Sequence, residues 1–467
     1  MYGMSKLVIK NHDTLVRKSK GRNKYAREGV LGLINSALEA ADPRLAVKKS
    51  FLLKGDKLTI NGKNLELKDL DNIYVVGGGK ASGAMAEVVE EVLGERITAG
   101  CVNIIKGTKN RFRVSKIELV EASHPVPDVK GLEGAKRMMD LVGRTRENDL
   151  VLCLISGGGS ALIPLPVEGV SLEELQEVNT DLLKCGADIN AMNSVRKHLS
   201  TIGGGNLAKV AYPATVISLI ISDVVGDSLE IIASGPTVPD STTYRDAVNV
   251  LKEYKIWNSC PERVKKHLEE GLKGNYPETP KPGDPVFENV FNLLIATNKM
   301  ACMAAQEEGK KRGLNSLVLT TYLEGEAKDV GILVSGIAKE ILYHNRPWEK
   351  PVVVILGGET TVTVRSKTRG RGGRNQELAL SAAIRLSGVE GVAIGAVDSD
   401  GVDGFSEAAG AVIDGRTILE AKKRGLDAAS FLLENNSTAF FEGLDDCLIF
   451  TGPTGTNVND LVFIVVV

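Results

Sequence analysis

Short runs dominated by apolar residues alternate along this chain with longer amphipathic stretches. A helix is expected over residues 25–41, where Val30, Leu31, Leu33, Ile34 and Leu38 share one face at helical spacing. Asp42-Pro43 ends it, because the residue before a proline disfavours the α conformation. Strands are expected at 73–76, 99–105, 118–121, 150–155 and 214–221, with helices at 85–93 and 131–142 and a helical stretch at 171–199. This rhythm predicts parallel βαβ units. Gly274-Asn-Tyr-Pro-Glu-Thr-Pro-Lys-Pro-Gly-Asp-Pro285 interrupts it, with four prolines in twelve residues. Such a stretch forms neither a helix nor an inner strand and reads as a linker or a long surface loop. Beyond it, strands at 291–296, 316–321, 351–356 and 391–397 alternate with helices at 299–311, 328–342 and 376–386. Residues 461–467 are apolar without alternation, the pattern of a strand covered on both faces.

These elements divide the chain into a basic arm (1–22), an N-terminal α/β domain (23–273), the proline-rich segment (274–289) and a C-terminal α/β domain (290–467). A length of 467 residues suits two domains. Ligand is expected in the cleft between them. The hydrophobic fraction is 43%, the charged fraction 25% and the net charge −2, which gives no electrostatic footprint for nucleic acid or an anionic membrane. Aromatic residues, at 4%, leave little material for base stacking. The six cysteines are widely spaced and form no C-x-x-C pair, so buried reduced thiols in the cytoplasm are expected rather than a zinc site. No apolar run approaches the ~20 residues of a membrane span, and the N-terminus lacks the apolar core of a signal peptide.

The candidate chemistry gathers where predicted strands run into glycines. Leu150-Val-Leu-Cys-Leu-Ile-Ser-Gly-Gly-Gly-Ser160 empties an apolar strand into three glycines flanked by Ser156 and Ser160. Tyr74-Val-Val-Gly-Gly-Gly-Lys-Ala-Ser-Gly83 repeats the design with Lys80 inside it, and Leu356-Gly-Gly-Glu-Thr360 is a third case. Glycine lets backbone N–H groups converge closely on an anion, and strand ends are where α/β folds bind ligands. The Lys80 loop is not a P-loop, since Tyr74 stands where the first glycine belongs and Ala81 follows the lysine. Nor is it a dinucleotide fingerprint: Ser82 replaces the third glycine, and the next strand ends in Ile105-Lys106 with no ribose-binding acid. Gly203-Gly-Gly-Asn-Leu-Ala208 matches a cofactor pattern formally but follows a helix, which excludes it. Asn193, Arg196 and Lys197 fall on one helical face. Asp223 and Asp227, just past an apolar strand, suit Mg²⁺ or cap the next turn. Arg369, Arg371 and Arg374 lie among glycines as a flexible anion clamp, with Asn375 placed to cap the next helix. Asp398, Asp400 and Asp403 resemble a calcium loop with the wrong spacing, and serve a metal or orient another residue. His124 reads as a structural loop histidine.

Taken together, these segments resemble the class II glycerate kinases, the glycerate 2-kinases. The matching motifs run in one order from about residue 25 onward: Val76–Ala81, Ser123-His-Pro-Val-Pro-Asp128, Ile155–Ala161, Asn190–Lys197, Ile221–Asp227, Ser234-Gly-Pro-Thr237, Gly357–Thr360, Gly370–Leu378, Asp398–Gly404 and Thr451–Asp460. The resemblance implies a Rossmann-like N-terminal domain, a distinct C-terminal α/β domain and an active site between them. It implies ATP-dependent phosphorylation of D-glycerate at the 2-hydroxyl with a divalent metal, and leaves a homodimer open. Lys80 and, as its cationic partner, Arg196 are the expected catalytic residues. Gly78, Gly79, Ser156, Gly157, Gly158, Gly159 and Ser160 are expected to cradle phosphate, and Asp223 or Asp227 to anchor Mg²⁺. Ser82, Asn193, Arg374 and Glu377 join Lys80 and Arg196 as expected substrate contacts. The rival expectations are a kinase of another small hydroxy acid, an NAD(P)H-dependent hydroxypyruvate reductase and a non-catalytic nucleotide sensor.

Overall fold

A computed structural model describes residues 8–364 and 370–467. The chain forms two compact units, one of Pro43–Ile295 and the other of residues 8–42 together with Ala296–Val467.

The Pro43–Ile295 unit opens with a small antiparallel sheet that the apolar pattern did not announce: β1 (Phe51–Lys54), β2 (Lys57–Ile60) and β3 (Lys63–Glu66). Its main sheet contains β4 (Ile73–Gly78), β5 (Ala99–Ile105), β6 (Ile117–Ala122), β7 (Leu150–Ser156), β8 (Thr215–Ile221) and β9 (Val290–Ala296) in the order β6-β5-β4-β7-β8-β9. Counting β4 as the first strand, this is the 3-2-1-4-5-6 order of a Rossmann-type doubly wound sheet. Strands β6, β5, β4, β7 and β8 are mutually parallel. Every residue of β4 and β7 is buried, which is why neither shows alternation in the sequence. The winding reverses between β4 and β7, so the carboxyl ends of these two strands mark the crevice where such a sheet accepts a ligand.

The helical stretch at 171–199 is two helices, Leu172–Lys184 and Ile189–His198, separated by a turn in which Gly186 has φ 74° and Asp188 caps the second. The proline-rich segment is a loop belonging wholly to this unit and links no domains. Thr279 bonds the buried Asp240 carboxylate (2.9 Å) and Glu278 meets His198 Nε2 (3.0 Å), which ties the loop down by its polar side chains.

The second unit is built on β10 (Asn315–Leu323), β11 (Val352–Gly358), β12 (Val392–Asp398), β13 (Gly410–Asp414), β14 (Leu448–Ile449) and β15 (Asp460–Val466), ordered β10-β11-β15-β12-β13-β14. β15 lies antiparallel between β11 and β12 and is buried throughout, as its unbroken apolar run predicts. The early helix, Gly21–Ala40, belongs here and not with the domain that follows it in sequence. Its apolar face covers β12 and β15: Gly395 leaves room for Val30 and Ile34, and Gly29 comes close enough to β15 that a methyl there would sit 3.4 Å from Val465. Periodicity identified that face but could not say which sheet it covers. Nor are residues 8–22 a solvated arm. Ile9 and Leu15 are fully buried, the helix His12–Arg17 forms, and Asn11 Nδ2 donates to the Leu448 carbonyl (2.8 Å).

Arg27 fastens this segment. Its guanidinium is buried against Asp414 (2.8 Å) and also donates to the carbonyls of Leu15 (2.8 Å) and Asp446 (2.6 Å). Removing one member of such a buried pair strands the other charge. Arg27→Ala should therefore cost about 3–5 kcal/mol, seen as a lowered denaturant midpoint in equilibrium unfolding; a surface-like loss of a few tenths would show that Asp414 finds water instead.

Candidate active site

In the Pro43–Ile295 unit the expected phosphate loops meet at the switch point. Gly77 and Gly79 take φ of 142° and 151°, and a side chain on either would collide with the backbone of Leu154 or Ser156. Only glycine lets the end of β4 lie so close to the end of β7. The two loops are then laced together. Lys80 N–H donates to Gly157 O (2.9 Å), Ala81 N–H to Ser156 Oγ (3.0 Å), and Ser82 Oγ to Leu154 O (2.9 Å). Ser156 and Ser82 are thus occupied in holding the loops, and Gly78 is buried in β4 beside Ile163.

The glycines form a floor with functional groups around it. A methyl on Gly158 (φ 81°) would come within 2.9 Å of His124 Cδ2 and 3.4 Å of Lys80 Cγ, and one on Gly157 would strike the Asp223 carboxylate. Lys80 follows β4, His124 follows β6, Gly157 follows β7 and Asp223 follows β8, so the carboxyl ends of the parallel strands supply all four. Lys80 is half-buried and has no ion-pair partner among the described residues. The His124 ring is pushed down to about 4 by desolvation and then by the Lys80 ammonium, so it stands neutral beside the lysine at neutral pH. It was read from sequence as structural; its neighbours place it at the glycine floor.

The helix Ile189–His198 adds a polar face. Arg196 Nε donates to Asn179 Oδ1 (2.7 Å), and burial alone lowers the guanidinium pKa, with no carboxylate within ion-pair range among the described residues. Lys197 is different: it is spent on Glu230 (3.1 Å) and Asp240 (3.2 Å) in the interior. Asn193 accepts from Ser234 Oγ (2.9 Å), which in turn lies 2.9 Å from Ser160 Oγ. Ala233 and Ser234 have φ of 51° and 58°, conformations that cost non-glycine residues about 1–3 kcal/mol each and collect at functional sites. Ser234 belongs to the Ser234-Gly-Pro-Thr237 motif. Its sign in the sequence is the Ser-Gly-Pro turn, which does not disclose the partner across the fold.

The second unit carries its own polar cluster at one end of β11, β12 and β15. Arg374 Nε bonds both oxygens of Asp460 (2.9 and 2.7 Å), Nη2 bonds Asp398 (2.9 Å) and Nη1 reaches Glu359 (3.0 Å). The expected flexible clamp is therefore a neutralised tie at this residue. Arg371 pairs with Glu442, and Arg369 lies outside the described residues. Asp403, not Asn375, caps the helix Arg374–Arg385 by accepting from the N–H groups of Asn375 (3.1 Å) and Gln376 (2.8 Å). Gly373 at the cap position has no side chain to do so. Glu377 is buried, with Oε2 bonded to Asn435 (3.0 Å), and its pKa is raised by burial.

Residues 30–269 match a domain described as a domain of unknown function (DUF4147), and residues 352–460 match the MOFRL family. The chain is 46% identical to the glycerate 2-kinase of Pyrococcus horikoshii, over 94% of this chain and 97% of that protein. It is 42% identical to the D-glycerate 2-kinase of Thermotoga maritima, over 92% and 96%. A protein of Agrobacterium vitis named a hydroxypyruvate reductase is 39% identical over 93% of both chains. The crystal structure of a glycerate kinase from T. maritima superposes with a TM-score of 0.83, covering 93% of this chain and 98% of that one. With a Rossmann-order sheet, a second mixed α/β unit and a cationic glycine floor, this chain has the build of a phosphoryl-handling α/β enzyme. It belongs to the glycerate 2-kinase family.

The Arg374 cluster has a measurable signature. Burial first, then the neighbouring carboxylates, raise the pKa of Asp398, and Asp460 is pushed up to about 7 chiefly by burial. The folded state therefore holds protons that the unfolded chain, with aspartates near pKa ~4, has released. This cluster's contribution to stability should fall as pH rises from about 4 to about 7. Urea unfolding across that range should show the decline, and Asp460→Asn should flatten it; an unchanged slope in the variant would mean both aspartates ionise freely.

Proposed function

We propose that this protein transfers the terminal phosphoryl group of ATP to the 2-hydroxyl of D-glycerate, giving 2-phosphoglycerate and ADP. The observation that carries the reading is Lys80, without an ion-pair partner among the described residues, beside the glycine floor at the switch point of a Rossmann-order sheet. Phosphoryl transfer is largely positioning and charge neutralisation, so close backbone, cations and carboxylates for a metal are the parts it requires. Gly157, Gly158 and Gly159, with Gly79 opposite, let phosphate approach the main chain. Lys80 and Arg196 hold the carboxylate of glycerate and the phosphoryl in flight, and Asn193 completes the substrate contacts.

No group of three metal-ligating side chains occurs among the described residues, so a divalent cation would rest on one or two carboxylates. The Asp223 carboxylate lies directly against Gly157, with Asp227 four residues on, and Mg²⁺ usually takes one or two carboxylates and leaves the remaining places to phosphate and water. Asp223 and Asp227 would hold it, and when bound it neutralises charge on the phosphate oxygens. A loose transition state needs little help from a base, and neutral His124 adds no second positive charge beside Lys80. The reductase reading has less support: β5 ends at Ile105 and runs into Lys106, where a dinucleotide site has an acid for the ribose. The ATP requirement and the free, mostly buried thiols accord with a cytoplasmic setting.

The test is incubation with ATP, Mg²⁺ and D-glycerate, coupled through enolase without phosphoglycerate mutase. Phosphoenolpyruvate should appear, which requires the 2-phosphate. ADP without it would place the phosphate on the 3-hydroxyl, and no ADP would remove glycerate as the substrate. Lys80→Ala should lower turnover about 100- to 1000-fold while leaving the melting temperature close to wild type; unaltered turnover would take Lys80 out of the site.

A further inference from the structure

A glycine run behind the phosphate loops holds the turn that carries Ser234. Gly204 and Gly205, in the Gly203-Gly-Gly-Asn206 segment, have φ of 61° and 81°. Their N–H groups donate to the carbonyls of Ser234 and Gly235, both at 2.8 Å. These bonds grip a turn in which Ala233, Ser234 and Gly235 all have positive φ (51°, 58° and 58°). On its other side the Ala233 methyl packs over Gly159, where a side chain would meet it. A turn held from both sides fixes the position of the Ser234 hydroxyl.

That hydroxyl lies 2.9 Å from Asn193 Oδ1 and 2.9 Å from Ser160 Oγ. A hydroxyl has one proton to give, and an amide oxygen only accepts. With the Asn193 amide oxygen facing Ser234, as the structure has it, Ser234 donates to Asn193 and the bond between the two hydroxyls takes its proton from Ser160; an amide turned the other way would reverse this order. Ser160, half-buried at the glycine loop, is left presenting lone pairs alone. Asn193 Nδ2, in a residue 3% exposed, is a buried donor with no partner among the described residues. A lone pair repels a phosphate oxygen and accepts from an alcohol. We infer that Ser160 receives the hydroxyl of the bound hydroxy acid, rather than the nucleotide phosphate that its glycine loop suggests, and that Ser234 is the positioning residue that fixes this polarity. The inference rests on the kinase reading above. Because the chain of hydroxyls ends on an amide, which takes no proton at neutral pH, it orients the alcohol and does not act as a base.

The test is steady-state kinetics of Ser234→Ala, Ser160→Ala and the double variant, with ATP and D-glycerate varied separately, alongside melting curves and inhibition by inorganic phosphate. Each single variant should lose about five- to twentyfold in kcat/KM for glycerate and keep its KM for ATP within about twofold. The double variant should be no worse than Ser160→Ala alone, since one residue acts through the other. In Ser234→Ala the freed Ser160 proton can turn outward, so inorganic phosphate should inhibit more strongly than in wild type. Additive losses, a KM for ATP that rises in step with that for glycerate, or phosphate inhibition no stronger than wild type would overturn the assignment. Should Ser234→Ala fail to fold, Ser160→Ala decides by itself: loss confined to glycerate supports it, and loss shared with ATP overturns it. Wild-type protein inactive on D-glycerate would sink the kinase reading and this inference with it, whereas an active wild type with both variants unchanged would sink this inference alone.

Discussion

Everything at the candidate site depends on how closely the ends of β4 and β7 approach each other. Gly77 and Gly79 bring the strand ends within reach of direct hydrogen bonds, and Lys80, Ala81 and Ser82 then inherit their positions from the backbone and hydroxyls of β7 and its loop. A single β carbon would separate the loops and carry the ammonium away from the glycine floor. The fold order matters for the same reason. Only at the point where the winding reverses do neighbouring parallel strands send their connections to opposite faces and leave an open crevice.

The sheets and their order of chemistry were legible because buried parallel strands read as unbroken apolar runs and glycines stand out at their ends. Lys80, Gly157 and Asp223 could be found this way, each lying just past a strand. What local pattern could not show was partnership across long separations. Nothing near residue 30 tells that its helix covers β12 and β15, and nothing in Arg369–Arg374 tells that Arg374 is matched by acids at 359, 398 and 460. Likewise Asn193, Ser234 and Ser160 each look ordinary in sequence, and their meaning arises only from adjacency. The hairpins β1–β3 were missed because four-residue, half-exposed strands carry too few apolar positions to register a period.

The two units handle charge in opposite ways. Beside the glycine floor Lys80 has no carboxylate in ion-pair range among the described residues, although the Asp223 carboxylate lies against Gly157, and Arg196 on its helix is bonded to the neutral Asn179. Around Arg374, one cation is surrounded by three carboxylates, two of them nearly fully buried. The surplus of carboxylates there is met by raised aspartate pKa values, and the neighbouring Asp403 fixes the start of the helix Arg374–Arg385 by accepting from the N–H groups of Asn375 and Gln376.

The central place of β15 in the second sheet has a consequence for how the protein comes into being. The helix Gly21–Ala40 leaves the ribosome early, yet its binding surface includes a strand made nearly the whole length of the chain later. Translation completes the Pro43–Ile295 unit in between, so that unit can fold while the early helix still waits with its apolar face bare. During that interval the nascent chain leaves Val30, Leu31, Leu33 and Ile34, all fully buried in the finished fold, open to solvent.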